Sequence, residues 1–242
     1  DWLDEILEID NTITFEGLDD DLKPQAAIKR ILDKYDAKAA EAVRELENKA
    51  DVYEDALGTY LVKVSSQDLN ENDARQITKL LHIIGDFERI SDHAVNILES
   101  AEEMRDKKIS FSSEAQAELV VMREAIVDIL NVTERAFLDN DVKLAADVEP
   151  LEQVVDDIQD KIKHGHIIRL QKSECTIEHG FVLADLLNDF ERVSDHCSNI
   201  AGCVIEISQH DALDMHKYIA ELKHGSERFE EKYKEYKRKY SV

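Results

Sequence analysis

Residues 86–97 read DFERISDHAVNI, and residues 189–200 read DFERVSDHCSNI. Nine of the twelve positions are identical, and the copies lie 103 residues apart. Each string sits in an apolar stripe at i, i+3, i+4, i+7 spacing. The first stripe is Ile77, Leu80, Leu81, Ile84, Phe87, Ile90, Ala94, Ile97 and Leu98; the second is Val182, Leu183, Leu186, Leu187, Phe190, Val193, Cys197, Ile200 and Val204. That period belongs to a core-facing helix. A repeat of this length marks a duplicated helical unit, so any chemistry in the string is expected in two places.

The duplication reaches upstream. KAAEAVRELENKAD (38–51) aligns with KLAADVEPLEQVVD (143–156) at an offset of 105, with six of fourteen positions identical. Each unit thus has a middle and a final helix in matching order. The segment Ser113–Asn140 supplies the first helix of the second unit, and Asp141–Leu170 its middle helix, with Pro150 expected to kink it. In the first unit helical periodicity starts at Pro24, well placed in a first helical turn, and runs to about Val64. Asn70 is the expected N-cap of the helix that follows. The Thr12–Gly17 stretch breaks the pattern where a first helix should lie.

The expected fold is all-α, two tandem three-helix bundles with an additional C-terminal helix. Its divisions are an irregular acidic segment (1–23), a first bundle (24–108), a second bundle (109–208) and a charged, solvated helical tail (209–242).

Composition agrees. The 242 residues are 43% apolar and 6% aromatic, with two prolines and seven glycines, which leaves long stretches free to be helical. A net charge of −24 argues against nucleic acid or an anionic lipid surface as a general partner. Three cysteines without a CxxC pair suggest neither a disulfide framework nor a thiolate zinc site, and are expected to be buried small apolar residues. No apolar run reaches 18 residues, and no secretory signal pattern is present. The first residue is Asp1 rather than Met, so the expectation is a segment of a longer protein.

Both units carry two Glu-x-x-x-Asp pairs: Glu47/Asp51 and Glu88/Asp92 in the first, Glu152/Asp156 and Glu191/Asp195 in the second. Residues i and i+4 share a helix face. If middle and final helices pack antiparallel, four carboxylates converge, a donor set for hard cations such as magnesium, calcium, manganese or iron. The spacing alone is weak, because Glu16/Asp20, Glu102/Asp106 and Glu124/Asp128 share it without a counterpart in the other unit. A solvated acidic face is the alternative, and recurrence at equivalent positions favours the cation reading. Arg89 and Arg192 either pair with these acids or meet an anion such as phosphate. His93 and His196, about 100° round the helix from the preceding Asp, read as packing or capping residues.

The two strings resemble the ER-[IV]-[GS]-D-H-A-x-N-I signature of the PhoU family, phosphate-transport regulators built of two three-helix bundles. The resemblance covers about residues 24 to 208. Together with the tail DMHKYIAELKHGSERFEEKYKEYKRKY, it is most similar to the cytosolic PhoU-like region of bacterial sodium/phosphate cotransporters. It implies metal binding at Glu47, Asp51, Glu88, Asp92, Glu152, Asp156, Glu191 and Asp195. Iron or zinc is the leading metal, with manganese, magnesium and calcium as further candidates. It also implies a non-enzymatic regulatory domain at the inner face of the cell membrane. The partners implied are a phosphate transporter's membrane domain, inorganic phosphate and a second copy of the chain. Ser91 and Ser194 depart from the commoner Gly of the signature.

Three other readings remain at this stage. A carboxylate-bridged metal enzyme would want Glu-x-x-His on core helices, and the sequence has only Glu221/His224, in the tail. A phosphohydrolase built on His-Asp pairs has only His210–Asp211, outside the repeat. A purely structural helical adaptor is the third class.

Overall fold

The structure, a computed structural model, describes residues 35–208 and 227–241. The expectations for Thr12–Gly17, Pro24, His210–Asp211 and Glu221/His224 lie outside the described residues. Seven helices are described: α1 (Ala37–Ser65), α2 (Glu71–Lys107), α3 (Ser113–Leu138), α4 (Val142–Ala145), α5 (Val148–Gln171), α6 (Ile177–Ser208) and α7 (Glu227–Lys239). Among the described residues none is long and apolar enough to cross a membrane.

The boundaries follow local chemistry. The Asn70 side chain accepts from the amide of Asp73 and starts α2. Asp36 caps α1 by accepting from Lys38 and Ala39, and Asp141, 105 residues on, caps α4 through Lys143 and Leu144. Beyond these matched caps the two units diverge. In the first, α1 runs unbroken for 29 residues. In the second, the expected Asp141–Leu170 helix divides at Ala146–Asp147 into α4 and α5. Pro150 stands where the first unit has Glu45. A proline has no N–H for the carbonyl four residues earlier and crowds it, so the chain breaks at Ala146 and restarts with Pro150 in the first turn of α5.

Helices α3, α5 and α6 form the second bundle around Met122, Ile126, Ile129, Leu151, Val155, Ile158, Ile162, Leu186, Leu187 and Phe190, none more than 2% exposed. Burying each such side chain stabilises by roughly 1.5–3 kcal/mol. In the first unit α1 packs on α2 over a smaller cluster of Ala39, Ala40, Val43, Leu98 and Ala101. Tyr35 and Arg44 both reach Glu102 across this contact, at 3.1 and 2.7 Å.

The stripe read for α6 is buried throughout. That of α2 is less so: Ile77, Ile97 and Leu98 are buried, whereas Phe87 is 38% exposed and meets Phe137 edge-on.

The units join along α2 and α6, which run antiparallel. Lys79 meets Glu206 at one end and Lys107 meets Glu178 at the other, at 3.1 and 3.5 Å.

The described part of the tail, 227–241, is docked rather than free, although most of its residues remain exposed. Helix α7 buries Phe229 and Tyr236, and Tyr240 follows just beyond its end. It packs on α5, with Arg228 on Asp147 and both Tyr233 and Lys237 on Asp157; Lys239 and Tyr240 reach Asp128 of α3. The aromatic stripe 229, 233, 236, 240 sits at helical spacing inside a highly charged sequence. The charges lie on its flanks and find acids on α3 and α5 rather than water alone.

Candidate metal centre

In the first unit, α1 and α2 bring the two Glu-x-x-x-Asp pairs together. One oxygen each from Glu47, Asp51 and Asp92 lie within 4.8 Å of one another. Glu88, one turn before Asp92, completes the group electrostatically. Its carboxyl is held above the ordinary range by desolvation, then by the charge of Asp92, a hydrogen bond with it, and the charge of Asp51; Arg89 partly offsets this. The Glu47 carboxyl is raised by desolvation and by the charges of Asp51 and Asp92. Desolvation leads both shifts, and the neighbouring carboxylates add repulsion to it. Oxygen donors so placed suit a hard cation, which would neutralise that repulsion.

Of Glu102/Asp106 and Glu124/Asp128, the described pairs without a counterpart, three members are engaged otherwise and Glu124 is exposed. Glu102 is held by Arg44 and Tyr35, Asp106 by Arg105, and Asp128 by α7.

In the second unit the same positions lie on α5 and α6, in a different polar setting. Glu152 is buried and Asp156 half-buried. Glu191 accepts from Gln159 at 3.1 Å, whose amide also reaches the Leu187 carbonyl at 3.0 Å. Asp195 is raised first by desolvation and then by Glu191, while Arg192, 3.2 Å away, opposes the rise. Gln159 corresponds to Glu54 in the first unit, so one more acid there becomes an amide here. Among the described residues, a set of three ligand oxygens within 4.8 Å occurs only in the first unit.

Of the two arginines, Arg192 pairs with the acids and Arg89 is exposed. Each serine of the repeated string turns back on its own helix: Ser91 donates to the carbonyl of Glu88 at 2.7 Å, and Ser194 to that of Glu191 at 2.8 Å. A hydroxyl where the signature commonly has Gly is therefore satisfied within its own turn.

The repeated string holds a second constellation. His93 Nδ1 lies 2.9 Å from Asp189, and His196 Nδ1 lies 2.8 Å from Asp86. Asn96 donates to Asp189 and Asn199 to Asp86, both at 3.3 Å. The two imidazoles stack at 5.7 Å with 26° between planes. Asp, His and Asn of each copy thus bind the other copy across the α2–α6 contact. The histidines pack, as expected, but they do so as partners of carboxylates in the opposite unit. The sequence held a signal for this: Asp, His and Asn recur in both copies without belonging to the Glu-x-x-x-Asp pattern.

The PhoU domain family matches residues 26–101 and 119–204. The chain is 29% identical over 153 residues to the phosphate-specific transport system accessory protein PhoU homolog 1 of Thermotoga maritima, covering 63% of this chain and 64% of that one. It is 23% identical over 174 residues to a provisionally named inorganic phosphate export protein, YjbB, of Escherichia coli O157:H7, covering 70% of this chain and 32% of that one. The chain therefore spans less than two thirds of either relative. Among solved structures, PhoU from Pseudomonas aeruginosa superposes with a TM-score of 0.71 at 21% identity, over 78% of this chain and 90% of that one. The phosphate transport system regulatory protein PhoU from Streptococcus pneumoniae gives 0.67 at 18% identity, over 80% and 90%. These two likenesses confirm the fold.

Proposed function

The chain belongs to the PhoU family, and on that premise we propose that it is a metal-binding regulatory domain controlling phosphate transport. The observation that carries the metal reading is the meeting of Glu47, Asp51 and Asp92 within 4.8 Å, with Glu88 one turn away. Glu152, Asp156, Glu191 and Asp195 would hold the second ion or cluster. Iron or zinc is the leading occupant, with manganese, magnesium or calcium as further candidates. When bound, the metal supplies positive charge that joins middle helix to final helix in each unit.

The domain is regulatory rather than catalytic. Its carboxylates hold helix geometry, and inorganic phosphate approaching the bound cations would bias one packing of the bundles over another. It acts on a transporter membrane domain at the cytosolic face of the cell membrane, as part of a sodium/phosphate cotransporter. The YjbB likeness supports attachment, since there a region like this one occupies about a third of a longer protein.

Elemental analysis of protein purified without a histidine tag or chelator tests the metal assignment, beside the Glu88→Ala/Glu191→Ala variant. Bound iron, zinc or manganese that the variant loses supports it. No metal in either sample, and no uptake of added divalent ions, sinks it. The gene upstream of Asp1 tests attachment: a run of apolar spans supports it, and a start codon immediately before Asp1 removes it.

A further inference from the structure

The reciprocal clasp of Asp86, His93, Asp189 and His196 joins the two carboxylate sites, and its position relative to them is specific. His93 directly follows Asp92, and His196 directly follows Asp195. Asp86 precedes Glu88 by two residues, and Asp189 precedes Glu191 by two. Each half of the clasp therefore ties the turn holding an aspartate of one site to the turn holding a glutamate of the other. His93 with Asp189 links Asp92 to Glu191; His196 with Asp86 links Asp195 to Glu88.

We propose that this clasp makes the two carboxylate sites one coupled device, so that cation uptake by one unit changes the affinity of the other. The proposal rests on the metal reading given above. Charge gives each quartet two arrangements, one spread by repulsion and one drawn together around a cation. Drawing α1 and α2 together displaces the turn Glu88–His93 relative to α6. Close-packed helices transmit such a displacement instead of absorbing it.

At the clasp a shift of α2 meets a fixed polar geometry. The four clasp side chains are 13–20% exposed. Each Asp takes a histidine and an asparagine from the opposite helix, and the stacked rings leave little room to slide. His93 and His196 are positioning residues under this proposal: they act on the ligands of the other unit through the helix backbone.

The test is a cycle read by manganese(II) binding, using the whole chain. Affinity of the second unit is measured with the first intact and with Glu88→Gln, in the native clasp and in a His93→Ala/His196→Ala background. With the native clasp, Glu88→Gln is expected to shift second-unit affinity about fivefold or more, the lower end of ordinary site–site coupling. In the alanine background the same change is expected to shift it less than twofold. His93→Asn/His196→Asn, which keeps a donor near the Nδ1 position, should restore most of the coupling. If the alanine pair does not fold, Asp86→Asn/Asp189→Asn removes the charges at nearly unchanged shape and serves as the broken clasp.

Equal shifts in both backgrounds overturn the proposal, as does a second unit indifferent to Glu88→Gln with the clasp intact; in either case the metal reading stands. A native chain that binds no manganese, iron or zinc removes the metal reading and the coupling with it.

Discussion

Asp147 and Arg228, 81 residues apart, are joined at two points: Nε to Oδ1 at 2.7 Å and Nη2 to Oδ2 at 2.8 Å. The carboxylate is 7% exposed and lies at the N-terminus of α5, at the break that Pro150 imposes. The same guanidinium reaches the Lys143 carbonyl at 3.3 Å, so a single side chain binds α7 to both α4 and α5. Arg228→Ala should cost about 1–2 kcal/mol, the lower part of the range for a charged hydrogen-bonded pair because Arg228 is half exposed. Urea unfolding followed by circular dichroism reads this directly. Loss of α7 docking should also leave Tyr233 and Tyr236 more accessible to iodination.

Glu47, Glu88 and Asp195 all have carboxyls raised above their ordinary range. A carboxyl raised in the folded state stabilises fully at pH below its unfolded value and loses that contribution as pH climbs through the raised value. The metal-free chain should therefore become less stable as pH moves from the carboxylate range toward neutrality, by the share these groups carry. Glu88→Gln should raise stability in chelator at pH 7 by a few tenths of a kcal/mol per like-charge contact relieved. It should also weaken any stabilisation by added manganese. Thermal melts with and without chelator, at pH 5 and pH 7, check both signs.

Arg169 is 5% exposed and is held by both oxygens of Glu118, at 2.9 and 2.7 Å. Removing one partner of such a pair strands a buried charge, which costs about 3–5 kcal/mol, while replacing both with apolar groups of similar volume costs far less. Glu118→Ala should therefore destabilise by about 2–4 kcal/mol, the partly exposed Glu118 lowering the figure. The Glu118→Leu/Arg169→Met double variant should lie closer to the native protein. Denaturant midpoints of the three chains rank them.

The cysteines differ in depth and so in chemistry. Burial pushes the Cys197 thiol up to about 12 and that of Cys203 to about 11. Cys175, half-buried in the link before α6, lies 3.6 Å from Nδ1 of His166. Since the thiolate is the nucleophile, native protein at pH 8 should release one equivalent from a chromogenic disulfide quickly and the other two only on unfolding. Cys175→Ser should remove the fast phase.

Much of this architecture is legible in the repeated string, since it combines a helical period with a duplication, and two matching helices must find matching partners. The Glu-x-x-x-Asp positions are legible for the same reason, and in the first unit three of the four expected carboxylates, Glu47, Asp51 and Asp92, come together. What escapes a linear reading is whatever depends on a partner chosen in space. Phe87 has the spacing of a core residue, yet is more than a third exposed. Phe229, Tyr236 and Tyr240 read as members of a solvated helix because the charges around them outnumber them, and the acids of α3 and α5 that take up those charges are remote in sequence. Pro150 promises a kink, and the structure shows a full break, with Asp147 at the break held by Arg228.

The antiparallel meeting of α2 and α6 gives the near-identity of their strings a further meaning. Asp86 meets His196 while His93 meets Asp189; residue i of one copy touches j of the other, and j touches i. That is the isologous pattern of a symmetric homodimer, here contained in one polypeptide. Each copy is the other's docking surface, so the two strings answer to each other as well as to any ion. A change at Asp86 is felt first 110 residues away at His196, and a compensating change belongs in the opposite copy rather than beside it.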